Sequence, residues 1–491
     1  MANPAQPARP WAAFSLAAVA QLMIVLDISI INVALPSIQR GLKFSVEDLQ
    51  WVINIYVLLF GGFLLLGGRA GDLLGRRRLF MGGMALFSLA SLAGGLAQSP
   101  GWLVAARAVQ GLGGAIISPV ALAIVSSSFA EGAVRNRALG IYGALAGFGG
   151  ALGVLLGGIL TDNFGWQWVL FVNVPIGLAV ILLTPLFIPA TRGHAAGGSF
   201  DLLGAISVTA GLCLLVYGVV KAPDNGWGSG QTIGFFAAAL ALLVVFLVTE
   251  LRSRAPLVRL GIFRNRSLAV ANVLGFLTGL VIFGMFFFLS LYEQIVLGYS
   301  PLKAGLSYLP LALAIVVAAG VASGLVTRFG FKYIIAIGMA LSTLGLLLFL
   351  GIPVTGSYAA HLLPGMLVVG VGLGFIFVPL QIAAVGGVQP QELGLASGLI
   401  NASQQMGGAI GLAVLSTIST TRFNHVLAAD HLRLSSLAPF GQLAATAPAR
   451  VDGYHYAFAA CAIVLAVGLV LALSLLSARR AAEMAPEVAA A

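Results

Sequence analysis

Asp27 and Arg107 are ionisable side chains set inside long apolar runs, in a chain where only 8% of residues are charged. A charge at that depth in hydrocarbon costs several kcal/mol, so both are expected to face a protein interior and to seek partners. If the run holding Asp27 crosses outward, Asp27 lies about 16 residues, or roughly 24 Å, along it. If the run holding Arg107 returns inward from Trp102, Arg107 lies about 5 residues, or roughly 8 Å, below the outer surface. The two charges then share the outer half of one bundle and can meet. A carboxylate whose proton affinity changes with hydration and with its distance from an arginine can load a proton on one side and release it on the other. The alternative is a structural ion pair that only fixes helix packing. Glu293, near the end of a later run, is the next candidate for the same chemistry.

The elements that must carry these residues are membrane helices. Of 491 residues, 60% are hydrophobic, and the mean hydropathy is +1.04. Runs of about 20 apolar residues fill most of the chain, and a run of that length spans a bilayer as a helix. Fourteen such runs lie at 11–36, 50–68, 79–97, 102–124, 138–160, 168–189, 201–220, 232–250, 268–292, 304–326, 332–352, 360–384, 395–420 and 455–477. With both termini cytoplasmic, seventeen of the 25 basic residues face inward and seven outward, and Arg107 lies within a span. The net charge of +10 therefore reads as membrane orientation rather than as a nucleic-acid surface. The six tryptophans fall at span ends or in a loop, as an interfacial belt requires. Cys213 and Cys461 sit in apolar spans with no paired spacing, so they read as buried thiols rather than a disulfide or metal site. Met1 to Pro10 is too short for a separate targeting region, and the first span is expected to be retained.

Residues 68–78 (Gly-Arg-Ala-Gly-Asp-Leu-Leu-Gly-Arg-Arg-Arg) form a glycine-punctuated charged turn between two apolar runs. The pattern G-x-x-x-D-x-x-G-R-[RK]-[RK] after the second span resembles the loop motif of the major facilitator superfamily. Shifted by 255 residues, Gly75 maps to Gly330 and Arg77 to Lys332, whereas Asp72 maps to Thr327, a faint internal repeat. Other segments resemble the fourteen-span drug:proton antiporter family typified by the EmrB and QacA exporters. Leu26 to Pro36 is close to L-D-x-T-I-V-N-V-A-L-P. Trp166-Gln167-Trp168 followed by Asn173-Val174-Pro175-Ile176-Gly177 resembles W-R-W-x-F-x-x-N-V-P-I-G, with Gln167 in place of arginine. Arg107, Gln110, Gly111 and Gly113 match R-x-x-Q-G-x-G, a position the resemblance links to proton transfer.

The fold this implies is all-α: two six-helix bundles plus two inserted transmembrane helices. Its divisions would be residues 1–190, a connecting region 191–267 with the two additional spans, and 268–491. By the same resemblance, Gly68, Asp72, Gly75, Arg76 and Arg77 form a gating motif. Gly68 and Gly75 allow close helix approach, and Asp72 accepts hydrogen bonds from a helix N-terminus. Gly149, Gly153 and Gly157 recur every four residues, which serves helix packing on its own. Gly153 to Gly158 also resembles the antiporter motif G-P-x-x-G-G, with Val154 in the place of proline. Polar and aromatic residues expected to face a substrate cavity are Asn32, Asn54, Tyr56, Gln110, Phe283, Phe286, Phe287, Tyr292, Glu293 and Gln294.

No Walker-type phosphate loop and no metal-ligand histidine spacing occurs, and the longest predicted outer loop, 421–454, is too short for a catalytic domain. The expectation is therefore not an enzyme. It is a proton-coupled secondary exporter of amphipathic small molecules in the bacterial inner membrane, with both termini cytoplasmic and no cofactor beyond the proton. Its partners would be the small substrate and the lipid bilayer. The resemblance also admits an accessory envelope protein, and the exporter would function as a monomer. The alternatives are a facilitator or importer of a specific metabolite, or a ligand-binding membrane sensor without net transport.

Overall fold

The computed structural model describes residues 9–129, 133–190, 201–253, 256–386, 388, 392–429 and 439–476. Among these residues there is no strand, and fourteen helices have 15 residues or more. In chain order they are α1 (Pro10–Leu42), α2 (Trp51–Leu74), α3 (Arg76–Gly95), α4 (Pro100–Ser128), α5 (Ala133–Phe164), α6 (Asn173–Phe187) and α7 (Leu202–Asn225). They continue with α8 (Gly230–Arg252), α9 (Arg266–Leu291), α10 (Leu309–Phe329), α11 (Phe331–Leu348), α12 (Leu363–Val385), α13 (Leu393–Ala429) and α14 (Pro439–Leu475). Twelve helical segments of the described residues are long and apolar enough to cross a membrane, so the chain is a multi-pass membrane protein. Helices α5 and α13 cover the predicted runs 138–160 and 395–420 but are not among the twelve. Helix α13 is rich in glycine and carries Asn401, Ser403, Gln404 and Gln405, which lower its hydropathy, while the apolar stretch described within α5 is Leu152–Phe164. The connector 191–200, Arg254 and both chain ends lie outside the described residues.

The helices form two compact units, Met1–Leu215 with Phe236–Gly261 and Val216–Phe235 with Ile262–Ala491. In the first unit, α4 is central and packs on α2, α3 and α1, while α1 also packs on α5 and α6, and α3 on α6. Local chemistry sets the breaks between helices. Ser99 caps α4 by accepting from Trp102 N at 3.3 Å, with Pro100 at the first helical position. Gly75 ends α2 with φ +94°, a left-handed conformation that costs a glycine nothing.

The second unit repeats this scheme. Helix α12 packs on α10, α11 and α9; α9 also packs on α13 and α14, and α11 on α14. Gly330 turns α10 into α11 with φ +77°, the same device at the position that the repeat assigned to it. Asn265 caps α9 through Ser267 N and Leu268 N. The predicted outer loop 421–454 is instead largely helical, since α13 runs on to Ala429 and α14 begins at Pro439. Side-chain pairing between these extensions explains it. Arg422 Nε donates to Asp452 Oδ2 at 2.5 Å, the Arg422 guanidinium lies 4.8 Å from the Tyr456 ring, and Arg450 lies 5.2 Å from the Phe423 ring. Four of the six tryptophans, Trp11, Trp102, Trp168 and Trp227, are exposed as a belt requires, but Trp166 is buried against Gly41 of α1.

Candidate functional site

Asp27 and Arg107 meet inside the first unit. The Arg107 Nη1 donates to Asp27 Oδ2 as an ion pair, with both side chains at most 1% exposed. The pair sits in a polar cluster drawn from five helices. Arg107 Nε donates to the Val52 carbonyl at 3.0 Å, Nη1 also reaches Gln110 Oε1 at 2.7 Å, and the guanidinium lies 4.2 Å from the Tyr56 ring centroid. Asp27 Oδ1 accepts from Gln110 Nε2 at 2.6 Å and from Asn173 Nδ2 at 3.0 Å. Both amides also donate to Ser91 Oγ, at 2.6 Å and 3.2 Å. Three donors thus converge on one carboxyl. Because α4 supplies Arg107 and Gln110, it must run close to its neighbours, and Gly111 and Gly113 permit this. A Cβ on Gly111 would stand 2.5 Å from Tyr56 O of α2, and one on Gly113 2.8 Å from Phe87 N of α3.

The glycines of α5 press on the segment of α1 that bears Asp27. A Cβ at Gly149 would meet Val25 at 2.9 Å, one at Gly153 would collide with Ser29 Oγ and stand 3.0 Å from Leu26 O, and one at Gly157 would stand 2.9 Å from Ile30 O. Gly158 is buried beside them. In the charged turn, Gly68 faces Pro119 of α4 at 3.4 Å for a built Cβ, and Arg76 Nη1 donates to Ala123 O at 3.2 Å. Arg77 is half-buried, Gly75 makes the break described above, and the Asp72 side chain lies outside the described residues.

The cavity candidates divide between the units. In the first, Tyr56 and Gln110 belong to the charged cluster; Asn54 Nδ2 donates to Gln50 Oε1 at 3.4 Å, and Asn32 Nδ2 bonds back to Ile28 O at 2.9 Å. In the second, Phe283 lies against Gly408 of α13, Phe286 stacks on Tyr308 at 5.2 Å, and Phe287 is buried edge-on to Phe288. Tyr292, Glu293 and Gln294 fall on a single π-helical turn, Tyr292–Val296, that closes α9. Tyr292 donates to Pro353 O at 2.7 Å, Gln294 Nε2 to Ser290 Oγ at 3.1 Å, and Glu293 is fully buried beside Ser307.

Sequence reasoning did not select Ser91, Asn173 or Ser307 as site residues. Asn173 stood in a recognised motif and is a lone amide in an apolar helix, a signal that could have found it. Small hydroxyls give no such signal, because a membrane helix absorbs them by back-bonding, as Thr184 does with Val180 O at 2.7 Å.

Residues 17–412 match the model of the Major Facilitator Superfamily. The chain is 38% identical over 474 residues to the puromycin resistance protein pur8 of Streptomyces alboniger, covering 96% of this chain and 92% of that one. It is 42% identical over 410 residues to the cephamycin export protein CmcT of Amycolatopsis lactamdurans, with 83% and 84% covered. It is also 34% identical over 425 residues to the tetracenomycin C resistance and export protein of Streptomyces glaucescens, with 85% and 77% covered. Among solved structures, a bacterial homolog of the human lysosomal transporter Spinster aligns with TM-score 0.64 at 16% identity, over 95% of this chain and 97% of that one. With a family match across most of its length and relatives of this identity, the chain belongs to the Major Facilitator Superfamily, a family of transporters.

Proposed function

We propose that this protein is a proton-coupled exporter of amphipathic small molecules in the bacterial inner membrane. It would have fourteen spans, both termini cytoplasmic, and the divisions 1–190, 191–267 and 268–491. The observation that carries the reading is the buried Asp27–Arg107 pair with its amide and hydroxyl partners, a charged centre inside a membrane bundle. Its likeness to relatives named for puromycin resistance, cephamycin export and tetracenomycin C export supports the outward direction and the substrate class.

In the ionised state Asp27 holds Arg107, Gln110 and Asn173 together. A proton on Asp27 would remove the charge that binds Arg107 and leave the guanidinium on Val52 O, Gln110 Oε1 and the Tyr56 face. Loading and unloading that proton would switch the contacts among α1, α4 and α6, which is the two-state element that coupling requires. The charged turn at Gly68 to Arg78 would act as the gate, with Asp72 as its hydrogen-bond acceptor.

The test is puromycin flux in proteoliposomes under an imposed pH gradient. Accumulation against a puromycin gradient that a protonophore abolishes is the expected result, and the Asp27→Asn variant should lose it. Val154, where antiporters of this type carry proline, favours a facilitator as the second reading. A facilitator would equilibrate puromycin without regard to the pH gradient.

A further inference from the structure

The second unit holds a buried carboxyl that the Asp27 cluster does not explain. Glu293 is fully buried, and no ion pair of Glu293 occurs among the described residues. Among the described residues, its Oε2 has no hydrogen-bond partner and its Oε1 meets only the Ser307 hydroxyl, at 2.6 Å. That hydroxyl also lies 2.6 Å from Ala304 O. Ser307 owns one proton, so it cannot donate to both. If it makes the ordinary back-bond to Ala304 O, the contact with Glu293 needs a proton on the carboxyl, donated to Ser307 Oγ.

Among the described residues, no cation pairs with Glu293 to offset a negative charge. Tyr292, Tyr299, Tyr308 and Tyr358 lie near enough to feel it. Three of their hydroxyls donate elsewhere, Tyr292 to Pro353 O, Tyr308 to Phe286 O at 3.3 Å and Tyr358 to Ser307 O at 2.8 Å, and the Tyr299 oxygen accepts from the Tyr358 backbone. On the short helix Pro301–Ser307, the Lys303 ammonium sits 3.7 Å over the Tyr299 ring. On α14, which packs against the π-helical turn, His455 is engaged with Ile352 O at 2.9 Å and Tyr454 lies against Phe288. An ionised carboxyl with one hydrogen bond and no cation is a costly group to bury, whereas a neutral one is not.

From this geometry we infer that Glu293 is a second proton-binding site, independent of Asp27, and that it holds a proton in the closed arrangement of the tyrosines and Ser307. The inference rests on the reading of the chain as proton-coupled. The step is a simple acid dissociation: the carboxyl O–H breaks, the carboxylate remains on Glu293, and the proton passes to water admitted when the short helix Pro301–Ser307 and the turn Tyr358–Leu362 move off it. In the proposed orientation this is the outer end of α9. Glu293 would then exchange its proton with the outer side without depending on the Arg107 network.

Two measurements on the full chain in liposomes test this. The first is infrared spectroscopy in H2O and D2O. The wild type and Asp27→Asn should both show a deuterium-sensitive carboxylic C=O band that is missing from Glu293→Gln. An unchanged band in Glu293→Gln would overturn the inference, and this reading needs no transport. The second is the proton-to-puromycin ratio from the reversal potential. Glu293→Gln should lower it by one proton, and an unchanged ratio would overturn the inference. Glutamine is isosteric with the neutral acid, so Glu293→Gln should unfold at the same temperature as the wild type, and marked destabilisation would count against a neutral Glu293. If the wild type moves no puromycin against its gradient, the exporter reading fails, while the infrared result still decides the state of Glu293.

Discussion

A double-mutant cycle on Asp27 and Arg107 separates what the pair does for the fold from what it does for transport. Asp27→Asn keeps the shape and an oxygen for Gln110 Nε2 and Asn173 Nδ2, but it leaves Arg107 as a buried cation. Breaking a buried pair by removing one partner costs about 3–5 kcal/mol. The low end applies here, because Arg107 keeps Val52 O, Gln110 Oε1 and the Tyr56 ring. Arg107→Gln should cost nearer the high end, since Asp27 then keeps only two amide donors. The double variant removes both charges, and its cost should fall below the sum of the two by about 2 kcal/mol or more, within the range seen for coupled neighbours. Unfolding by SDS titration in mixed micelles gives the three differences. Strictly additive costs would refute the pairing as a stabilising contact. Puromycin flux on the same variants adds the functional axis: the double variant should be restored in stability but not in uphill transport. Recovery of both together would make the pair structural.

Three further outcomes follow from the same geometry. Gly153→Ala should cost about 1–3 kcal/mol by overpacking against Ser29 and Leu26 O, and Ser29→Ala in the same chain should recover part of it in thermal unfolding; an undisturbed Gly153→Ala would place the α1–α5 contact elsewhere. With Cys213 and Cys461 replaced, a cysteine at Ser229 should react with an impermeant thiol reagent from outside intact cells. Protection there, with labelling at Arg254 still cytoplasmic, would reduce the span count to twelve. Asp72→Asn should remove most puromycin transport while leaving the unfolding temperature nearly unchanged, and normal flux would reduce residues 68–78 to an orientation signal.

Much of this architecture could be read in the sequence because a bilayer turns run length into depth. The arithmetic that put Asp27 and Arg107 in one half of the bundle used only helix rise and alternating direction, and the two side chains are in contact. The Gly75 and Gly330 turns were legible for a similar reason, since a charged glycine turn between apolar runs has few other conformations open to it. Hydropathy was blind where helices leave the apolar regime. The extensions of α13 and α14 are alanine-rich and charged, and Arg422 with Asp452 and Tyr456 holds them together across a sequence separation that no local pattern reports. The partners of the site residues were hidden too. Ser307 is 14 residues from Glu293, and Ser91 is 19 from Gln110; each is a small hydroxyl with no periodic signature.

The internal repeat bears on whether the Asp27–Arg107 cluster exists for packing alone. Helix α12 holds the place in the second unit that α4 holds in the first, at the centre of three neighbours. Where α4 carries Arg107, Gln110, Gly111 and Gly113, α12 carries Gly370, Gly372 and Gly374 in the run Val369 to Phe375. Built Cβ atoms on these glycines would stand 2.7 Å from Leu311 O, 2.6 Å from Gly338 O and 2.6 Å from Ile315 O, so α12 seats itself closely on its neighbours. No ionisable side chain is needed to reach the same arrangement of helices. Replacing buried ion pairs by well-packed apolar groups is often neutral or stabilising, and the second unit is an instance of such a solution within one chain. Among the described residues, a fully buried ion pair occurs in only one of the two units, which is poorly explained as a packing device. It agrees with the proposed function, in which a paired carboxylate, and not a glycine contact, performs the proton chemistry.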